Sequence, residues 1–486
     1  AAGLAVSEAL AAVLDLRESP LLAVGQGVIN LTPGPVAELI IGLVGTADKP
    51  LAVASVVLAV LALGALAGHW WAPRRWWAFS LVTALTIGAI VAVLVRPYGS
   101  VQAVFACTAA GVAMLGVLQL LERGSTADAD GPDRRAFLRT AGLLAVAVAV
   151  VGGGSQVLAS RRRRRRDIEA ARAAIDLPRR TVVEPAGAEL DVPGVAPWTT
   201  SNRDFYRIDT TLSPPLIDPA EWSLRIHGMV DNEMTLTYQD LIDRGLTDAW
   251  VTLCCVSNPI GGDLIGNAVW GGASIKDILD EVGVQEGADA LRSTSDDGWV
   301  CGTPLSALTD GRDAMLAVTM NGEPLPIAHG FPVRQVVPGL YGYVSATKWV
   351  VDWEITRFSD FEAYWTQRGW GERGPIKTGS RIDVPRFGDD LPEGPVRVGG
   401  VAWHQHVGIR GVEVNFGDGQ WRPAEISRVP TDDTWVQWAI DWDAPAGRHA
   451  VSVRAIDGDG VVQTAETADV LPDGATGYHV ISVGVG

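Results

Sequence analysis

The residues best suited to chemistry lie in one block, Val251-Thr252-Leu253-Cys254-Cys255-Val256-Ser257-Asn258-Pro259-Ile260-Gly261-Gly262. An apolar strand runs here into a Ser/Asn/Pro/Gly loop, so Cys254 and Cys255 stand at a predicted strand end that a ligand can approach. A thiolate at such a place serves as a soft-metal ligand or a nucleophile, whereas a buried thiol is a small apolar side chain. Judged by residue type alone, a buried thiol that packs as a small apolar side chain is favoured over a metal ligand or a nucleophile. A strained vicinal disulfide is a further alternative.

Other metal-binding patterns are weaker. The four cysteines include no CxxC or CxxCH spacing, which excludes covalent c-type haem and argues against multi-cysteine zinc. His404-Gln405-His406 places two rings on one face of a predicted strand. No third ligand accompanies them, so structural histidines are favoured over a metal site. His69 is the only histidine before residue 227, which argues against a haem held between membrane helices.

The first 160 residues contain the apolar stretches 51–67, 79–95, 101–121 and 136–159, each close to the roughly 20 residues needed to cross a bilayer. Residues 1–14 resemble the end of another apolar helix, and the sequence lacks an initiator Met. The mixed stretch 18–48 predicts a loop with an amphipathic helix at the membrane surface. We therefore expect residues 1–160 to form a transmembrane helical bundle.

Basic loops orient this bundle. Arg74 and Arg75, and the arginines between residues 122 and 139, predict cytoplasmic loops, which places everything after Gly154 outside. The six arginines 161–166 oppose that orientation. Asp133-Arg134-Arg135-Ala136-Phe137-Leu138-Arg139 resembles a twin-arginine export motif, and export of an already folded domain would carry the basic run across. The alternative is that these arginines are ordinary positive-inside residues.

The rest of the chain predicts three further segments. Residues 161–197 form a basic juxtamembrane linker; residues 198–374 mix short apolar runs with helical pieces, which indicates an α+β domain; and residues 375–486 consist of short strands typical of an all-β immunoglobulin-like sandwich. The net charge is −17, and the formal charges of residues 1–180 sum to +6, which leaves −23 for residues 181–486. An acidic domain repels nucleic acid, so nucleic-acid binding is excluded.

Several ordered motifs resemble the sulfite-oxidase family of molybdenum enzymes over most of residues 198–486. They are Phe205-Tyr206-Arg207-Ile208, the block Thr252–Asn258, Asn267-Ala268-Val269-Trp270-Gly271-Gly272, His329-Gly330-Phe331-Pro332-Val333-Arg334, and Gly342-Tyr343-Val344-Ser345-Ala346-Thr347-Lys348-Trp349. Trp403 and the strands after it resemble the C-terminal sandwich of that family. The resemblance implies a molybdenum–molybdopterin cofactor.

By the spacing of the family's Thr-Leu-x-Cys-x-x-Asn block, the resemblance makes Cys255, rather than Cys254, the molybdenum ligand and the catalytic residue. A thiolate suits a metal that shuttles between oxidation states +4 and +6. Arg207, His329, Arg334 and Lys348 are the implied clamp for the pterin phosphate. The other implied cofactor-binding residues are Phe205, Tyr206, Ser257, Asn258 and Ser345.

One departure concerns the substrate. Sulfite-oxidising members carry an arginine soon after the Asn of the cysteine block, where this chain has Pro259-Ile260-Gly261-Gly262-Asp263. The resemblance thus implies two-electron oxygen-atom transfer on a small sulfur or nitrogen compound, outside the cytoplasmic membrane, and leaves substrate and direction open. With no haem or flavin motif, electrons would pass to a separate protein or membrane redox partner.

Two alternatives belong to other classes: a membrane-anchored, non-catalytic surface scaffold or adhesion protein with an immunoglobulin-like domain, and thiol redox chemistry through Cys254 and Cys255. A homodimer formed by the C-terminal domain and a membrane-tethered monomer both remain open.

Overall fold

The computed structural model describes residues 1–33, 48–125, 155–177 and 183–486, together with the single positions 36, 40, 43, 44 and 142. These residues divide into two compact units. One comprises Ala1–Ala170 with Thr210–Leu216, and the other comprises Ala171–Asp209 with Ile217–Gly486.

The first unit is helical. Its helices are α1 (Ala2–Val13), α2 (Pro20–Leu31), α3 (Asp48–Trp71), α4 (Arg75–Leu94), α5 (Val101–Ser125) and α6 (Ser155–Ala174), the last of which runs on into the second unit. Lys49–Trp71, Arg75–Leu94 and Val101–Glu122 are long and apolar enough to cross a membrane, and at most 17% of each apolar window is buried within the unit. Exposed apolar surface of this kind suits a lipid environment. Three of the four predicted spans thus coincide with long apolar helices that are candidates for crossing a membrane. Most of the fourth, 136–159, and the twin-arginine motif at 133–139 lie outside the described residues.

Helix α6 contains all six consecutive arginines, so the segment predicted as a linker from residue 161 begins inside a helix. Arginine is a good helix former, and Arg165 pairs with Glu169 one turn later at 2.8 Å. The six arginines, whose composition predicted a linker, are therefore compatible with a helix.

The second unit is built largely from strands. They are β1 (Ser223–Gly228), β2 (Met234–Thr237), β3 (Thr247–Cys254), β4 (Ile265–Ser274), β5 (Ala290–Ser295), β6 (Val300–Pro304), β7 (Met315–Met320), β8 (Glu323–Pro324), β9 (Arg334–Val336), β10 (Val350–Thr356), β11 (Gly379–Val384), β12 (Asp390–Leu391), β13 (Gly394–Trp403), β14 (Ile409–Asn415), β15 (Arg422–Pro423), β16 (Glu425–Ile426), β17 (Val436–Ala444), β18 (Gly447–Asp457) and β19 (His479–Val485). The short helices between them are α7 (Tyr238–Asp243), α8 (Ile275–Val282), α9 (Ser306–Thr309) and α10 (Gly342–Ser345).

The part before β11 is the predicted α+β domain. One sheet has the order β2-β1-β10-β5-β6, and the other has the order β3-β4-β7-β8, with β9 paired to β7. Strand β4 is buried along nearly its whole length, which explains its near-continuous apolar and small residues. One of the helical pieces of this domain is α8, whose first turn is capped by the Ser274 hydroxyl.

The part from β11 onward forms two facing sheets, β11-β13-β17-β16 and β12-β19-β18-β14-β15. Alternate residues of β18, such as Val451 and Val453, point into their shared core, as a half-buried strand requires. The predicted C-terminal β domain is therefore confirmed. A loop of this domain pairs with β3, because the Thr252 amide donates to the Asp433 carbonyl at 2.9 Å and the Trp435 amide donates to Thr252 Oγ1 at 2.8 Å.

Candidate functional site

Cys255 lies in the first position after β3, held by its own backbone. Its N–H donates to the Leu264 carbonyl at 2.9 Å, and its carbonyl accepts from the Asn258 amide at 3.1 Å. The side chain is 9% exposed. Burial raises the pKa of the Cys255 thiol, while hydrogen bonds from Ser257 and the charge of Lys348 act in the opposite direction. Thiolate character at this position therefore depends on added positive charge, which a bound metal ion provides.

The neighbouring thiol has a different environment. Cys254 Sγ lies 3.9 Å from Asn258 Nδ2 and 3.5 Å from the Cys255 carbonyl, and it lines a small cavity of about 30 Å³ with Tyr341 and Trp403. Burial raises the pKa of the Cys254 thiol far above its usual value. All four cysteines are free thiols, so the vicinal pair is not oxidised here.

Arg207 and Lys348 converge on one carboxylate, Asp209. Arg207 Nε and Lys348 Nζ lie 2.8 Å and 2.9 Å from Asp209 Oδ2, and Nζ also donates to the Ile208 carbonyl at 3.0 Å. Burial lowers the pKa of Lys348 to about 8, although Asp209 opposes the shift. The 4% exposure of the Asp209 side chain makes this a desolvated ion pair.

Arg334, in the short strand β9, is buried and lacks a carboxylate partner among the described residues. Its Nη1 donates to the His329 carbonyl at 3.2 Å, and its guanidinium lies 4.8 Å from the centre of the Trp270 ring. Its Nε is buried without a hydrogen-bond acceptor. Burial lowers the pKa of Arg334 to about 10, so the group remains cationic at neutral pH.

His329 ends the turn before Gly330. Its Nε2 lies 3.1 Å from the Asn202 carbonyl, which can only accept, so this nitrogen carries the proton. Burial and the charges of Arg334 and Lys348 lower the pKa of His329 to about 4. The ring is therefore a neutral imidazole at physiological pH, and its other nitrogen is an acceptor rather than a cationic clamp.

Phe205 and Tyr206 form a stacked pair with ring centres 5.3 Å apart, and Phe205 also meets the rings of Trp270 and His329 edge-on. Burial and the two nearby thiols raise the pKa of Tyr206 well above its ordinary value, so its hydroxyl stays protonated. A side chain at Gly266 would press on Phe205, with a Cβ 2.9 Å from its ring, so this strand position requires glycine.

The remaining predicted residues have local roles. Asn258 Oδ1 accepts from the Leu264 amide at 2.9 Å and closes the loop that follows Cys255, while Ser257 hydrogen-bonds the Cys255 thiol. Ser345 is fully buried, and its hydroxyl is directed at the carbonyls of Leu340 (3.1 Å) and Tyr341 (3.0 Å). Thus the structure brings Cys255, Tyr206, His329, Arg334 and Lys348 close enough together to interact electrostatically, and we call this group the pocket. Ser345 supports the neighbouring turn Leu340–Tyr341.

This pocket fits a pterin that carries a phosphate and presents sulfur to a metal. A thiol, a buried guanidinium with one unused N–H, and a lysine face the same region. Gly330 has φ +112°, and a Cβ there would lie 2.9 Å from Arg334 Cβ and 3.3 Å from Lys348, so only glycine lets the backbone approach both cations this closely. The oxygens of an anionic group would supply the hydrogen-bond acceptors that these donors lack.

Sequence reasoning missed three residues. Asp209 pairs with Lys348 across 139 positions, Asn202 fixes the tautomer of His329 across 127, and Trp270 supplies the face beneath Arg334. Trp270 lies within a motif that the sequence analysis singled out. The Arg207–Asp209 spacing indicated a local ion pair, but no feature of the neighbouring sequence indicated that Lys348 pairs with the same carboxylate.

Comparisons with known proteins indicate an oxidoreductase family. Residues 211–365 match the model of the oxidoreductase molybdopterin binding domain. The uncharacterized oxidoreductase YuiH of Bacillus subtilis is 32% identical over 180 residues, which cover 37% of this chain and 87% of that protein. The sulfite oxidase of Gallus gallus is 26% identical over 337 residues, covering 59% of this chain and 73% of the relative.

Two further matches are a mitochondrial enzyme and a solved structure. The mitochondrial sulfite oxidase of Homo sapiens is 26% identical over 325 residues, and the match spans 58% of that protein and 56% of this chain. The sulfane dehydrogenase SoxCD from Paracoccus pantotrophus superposes with a TM-score of 0.49 at 23% identity, covering 56% of this chain and 76% of that one.

Proposed function

The chain belongs to the sulfite-oxidase family of molybdopterin oxidoreductases, and from that premise we propose that it is a membrane-anchored enzyme of two-electron oxygen-atom transfer. Its substrate is a small sulfur- or nitrogen-containing compound, and its catalytic unit lies outside the cytoplasmic membrane. Molybdenum–molybdopterin is the cofactor, and a separate redox protein or membrane carrier exchanges the electrons.

One observation carries this proposal: a buried thiol shares its pocket with cations that outnumber their carboxylates. Cys255 lies near Lys348, and Arg334 lies near Tyr206 with no carboxylate of its own in the described part of the chain. A structural core would gain by replacing these charges with apolar groups. Perturbed basic groups around a buried thiol are instead typical of a site that binds an anion and a metal.

Each residue of the site has its own proposed role in holding the cofactor. Cys255 is the metal ligand; Arg334, Lys348 and Arg207 hold the phosphate; and His329 accepts a hydrogen bond through its unprotonated nitrogen. When bound, the molybdenum centre would supply two-electron redox chemistry. Lys348 favours the thiolate of Cys255, and the protonated Tyr206 hydroxyl donates into the pocket across the neutral pH range.

The loop after Asn258 favours a substrate of low negative charge. Pro259, Ile260 and Gly261 occupy the positions that follow the cysteine block. Arg381 reaches this loop and donates to the Gly262 carbonyl at 2.8 Å, but its guanidinium also pairs with Asp383 at 2.6 Å. A cation already neutralised in this way attracts a dianion weakly.

The activity test is oxygen-atom transfer by the detergent-purified, molybdenum-loaded protein. We expect turnover with a neutral S-oxide or N-oxide and a reduced dye, or with a reduced sulfur compound and an oxidised dye, and weaker turnover with sulfite. A molybdenum-loaded protein that transfers oxygen to or from none of these compounds would contradict the proposed reaction while leaving the cofactor assignment intact.

The location requires its own test. All four native cysteines are buried, so a cysteine introduced at the exposed position Asp459 offers a clean label site. A membrane-impermeant maleimide added to intact spheroplasts should label Asp459→Cys and leave the parent unlabelled. Labelling only after the spheroplasts are lysed would place the catalytic unit in the cytoplasm and remove the need for the export motif.

A further inference from the structure

The six arginines of helix α6 have no part in the proposed chemistry, and they do not form a uniform charged surface. Arg162, Arg163, Arg165 and Arg166 are exposed, whereas Arg161 and Arg164 are partly buried. At 3.6 residues per turn the exposed four fall within an arc of about 160°. We call these four residues the arginine face.

The opposite side of the same helix is the packed one. Ile168 is 4% exposed, and Arg164 donates to the Leu216 carbonyl at 3.4 Å and lies 3.7 Å from an Asp15 carboxylate oxygen. Both Arg164 contacts, with Leu216 and Asp15, lie within the helical unit. They hold the helix by one side, so the arginine face points away from the unit's own interior.

The arginine face is largely without partners. Arg165 pairs with Glu169, but within the described part of the chain no carboxylate pairs with Arg162, Arg163 or Arg166. A fold gains nothing from concentrating like charges on one exposed side, because neighbouring arginines on a helix repel one another. Among the described residues, these three arginines therefore have no counter-charge.

From this arrangement we infer that the arginine face binds the phosphates of anionic phospholipids. The same unit contains three helices long and apolar enough to cross a bilayer. In the sequence, the arginines of α6 directly follow the predicted span 136–159, which would put them next to the headgroup layer. A guanidinium binds phosphate oxygens through paired N–H donors and is weakly hydrated, which suits the headgroup layer. This role also explains a basic run on the side of the membrane where the positive-inside rule does not require one.

The test compares lipid selectivity in the full-length protein reconstituted into phosphatidylcholine membranes. Spin-labelled phosphatidylglycerol and spin-labelled phosphatidylcholine report, by their immobilised fraction, which lipid the protein holds. We expect the wild type to prefer phosphatidylglycerol and the preference to fall as salt screens the charges. Changing all four arginines of the face to Gln should reduce the preference at least roughly fivefold, the contribution of one arginine near an anionic surface.

Two variants distinguish the effect of positive charge on helix α6 from the effect of the protein's total charge. Changing the same four arginines to Lys should retain most of the preference, since charge is kept. Changing four exposed arginines of the other unit, Arg225, Arg357, Arg397 and Arg422, to Gln removes equal charge elsewhere and should leave the preference unchanged. A wild type without lipid preference at low salt, or a quadruple Gln variant of α6 that keeps it, would overturn the inference. So would inorganic phosphate displacing the labelled lipid at concentrations too low to screen charge, since the face would then be a site for the free anion.

Discussion

The pocket around Cys255 and the histidine pair of the β domain both bring basic side chains against carboxylates, yet they differ in how the charge is balanced. In the β domain each histidine has its own acid: His404 lies 3.3 Å from Asp457, and His406 lies 3.2 Å from Asp433. In the pocket, Arg207 and Lys348 share Asp209, and Arg334 has only neutral neighbours within hydrogen-bonding or ring contact.

The difference separates a structural site from a binding site. Paired charges stabilise the fold and leave nothing for a ligand, whereas buried positive charge without compensation costs free energy until an anion arrives. Among the described residues no cluster of three or more His, Cys, Asp or Glu side chains is arranged to hold a metal ion, which agrees with a structural role for the His404–His406 pair.

Arg334→Met should give the largest effect. The variant is expected to lose bound pterin, because the buried guanidinium is the fixed phosphate partner, while the cofactor-free protein keeps or gains stability, since an unpaired buried charge is removed. Pterin fluorescence and urea unfolding measure the two effects. Arg454→Met, which removes an arginine paired with Glu413 at 2.6 Å, should instead lose stability and keep the pterin. The comparison between a binding site and a structural site would be contradicted if Arg334→Met kept the pterin and lost stability while Arg454→Met lost the pterin and kept its stability.

Asp209→Asn should destabilise the cofactor-free protein by about 3 kcal/mol, because it leaves Lys348 buried without its carboxylate. Urea denaturation provides the measurement, and a double-mutant cycle provides the control. In a Lys348→Met background the cost of Asp209→Asn should be much smaller. An equal cost in both backgrounds would show that Asp209 does not act through Lys348.

Acid pH should destabilise the folded protein through protonation of His329. Its pKa is lowered from 6.5 to about 4 in the folded protein, so between these values the unfolded chain binds more protons. The free energy of unfolding should therefore fall as the pH drops from 6.5 towards 4, by up to about 3 kcal/mol. Unfolding of the cofactor-free wild type and of His329→Gln at several pH values tests this. Curves that fall in parallel would contradict the assignment.

His406→Gln should give the smallest effect, below about 1 kcal/mol, with pterin content unchanged. The His406 side chain is 40% exposed, and a half-exposed ion pair contributes little. Loss of pterin in this variant would mean that the β domain takes part in cofactor binding, contrary to the comparison drawn above.

Much of the architecture could be predicted from the sequence because it depends on short-range pattern. Runs of about 20 apolar residues predict candidate spans, and short apolar runs between turn residues predict strands such as β14 and β18. Helix α6 could not be predicted in this way, since consecutive arginines carry no apolar periodicity, and its packed side depends on Ile168 and on contacts with distant residues.

The candidate site was only partly predictable for a related reason. The resemblance to the family's motifs implied Cys255 as the metal ligand and Arg334 and Lys348 as part of the phosphate clamp. The sequence did not reveal that Asp209 would neutralise part of the charge, nor that His329 would be neutral. Both facts depend on burial and on contacts across more than 100 residues. Local patterns thus identify candidate groups, and only the fold determines their protonation and pairing.

The most direct test is the molybdenum and pterin content of the full-length protein, purified in detergent from cells supplied with molybdate. Wild type, Cys255→Ser and the neighbouring Cys254→Ser are compared. We predict near-stoichiometric molybdenum and pterin in the wild type, and a metal X-ray absorption spectrum that loses one sulfur neighbour in Cys255→Ser but not in Cys254→Ser. Well-folded wild type with neither molybdenum nor pterin would contradict the account, and loss of the sulfur neighbour in Cys254→Ser alone would move the ligand to the other thiol.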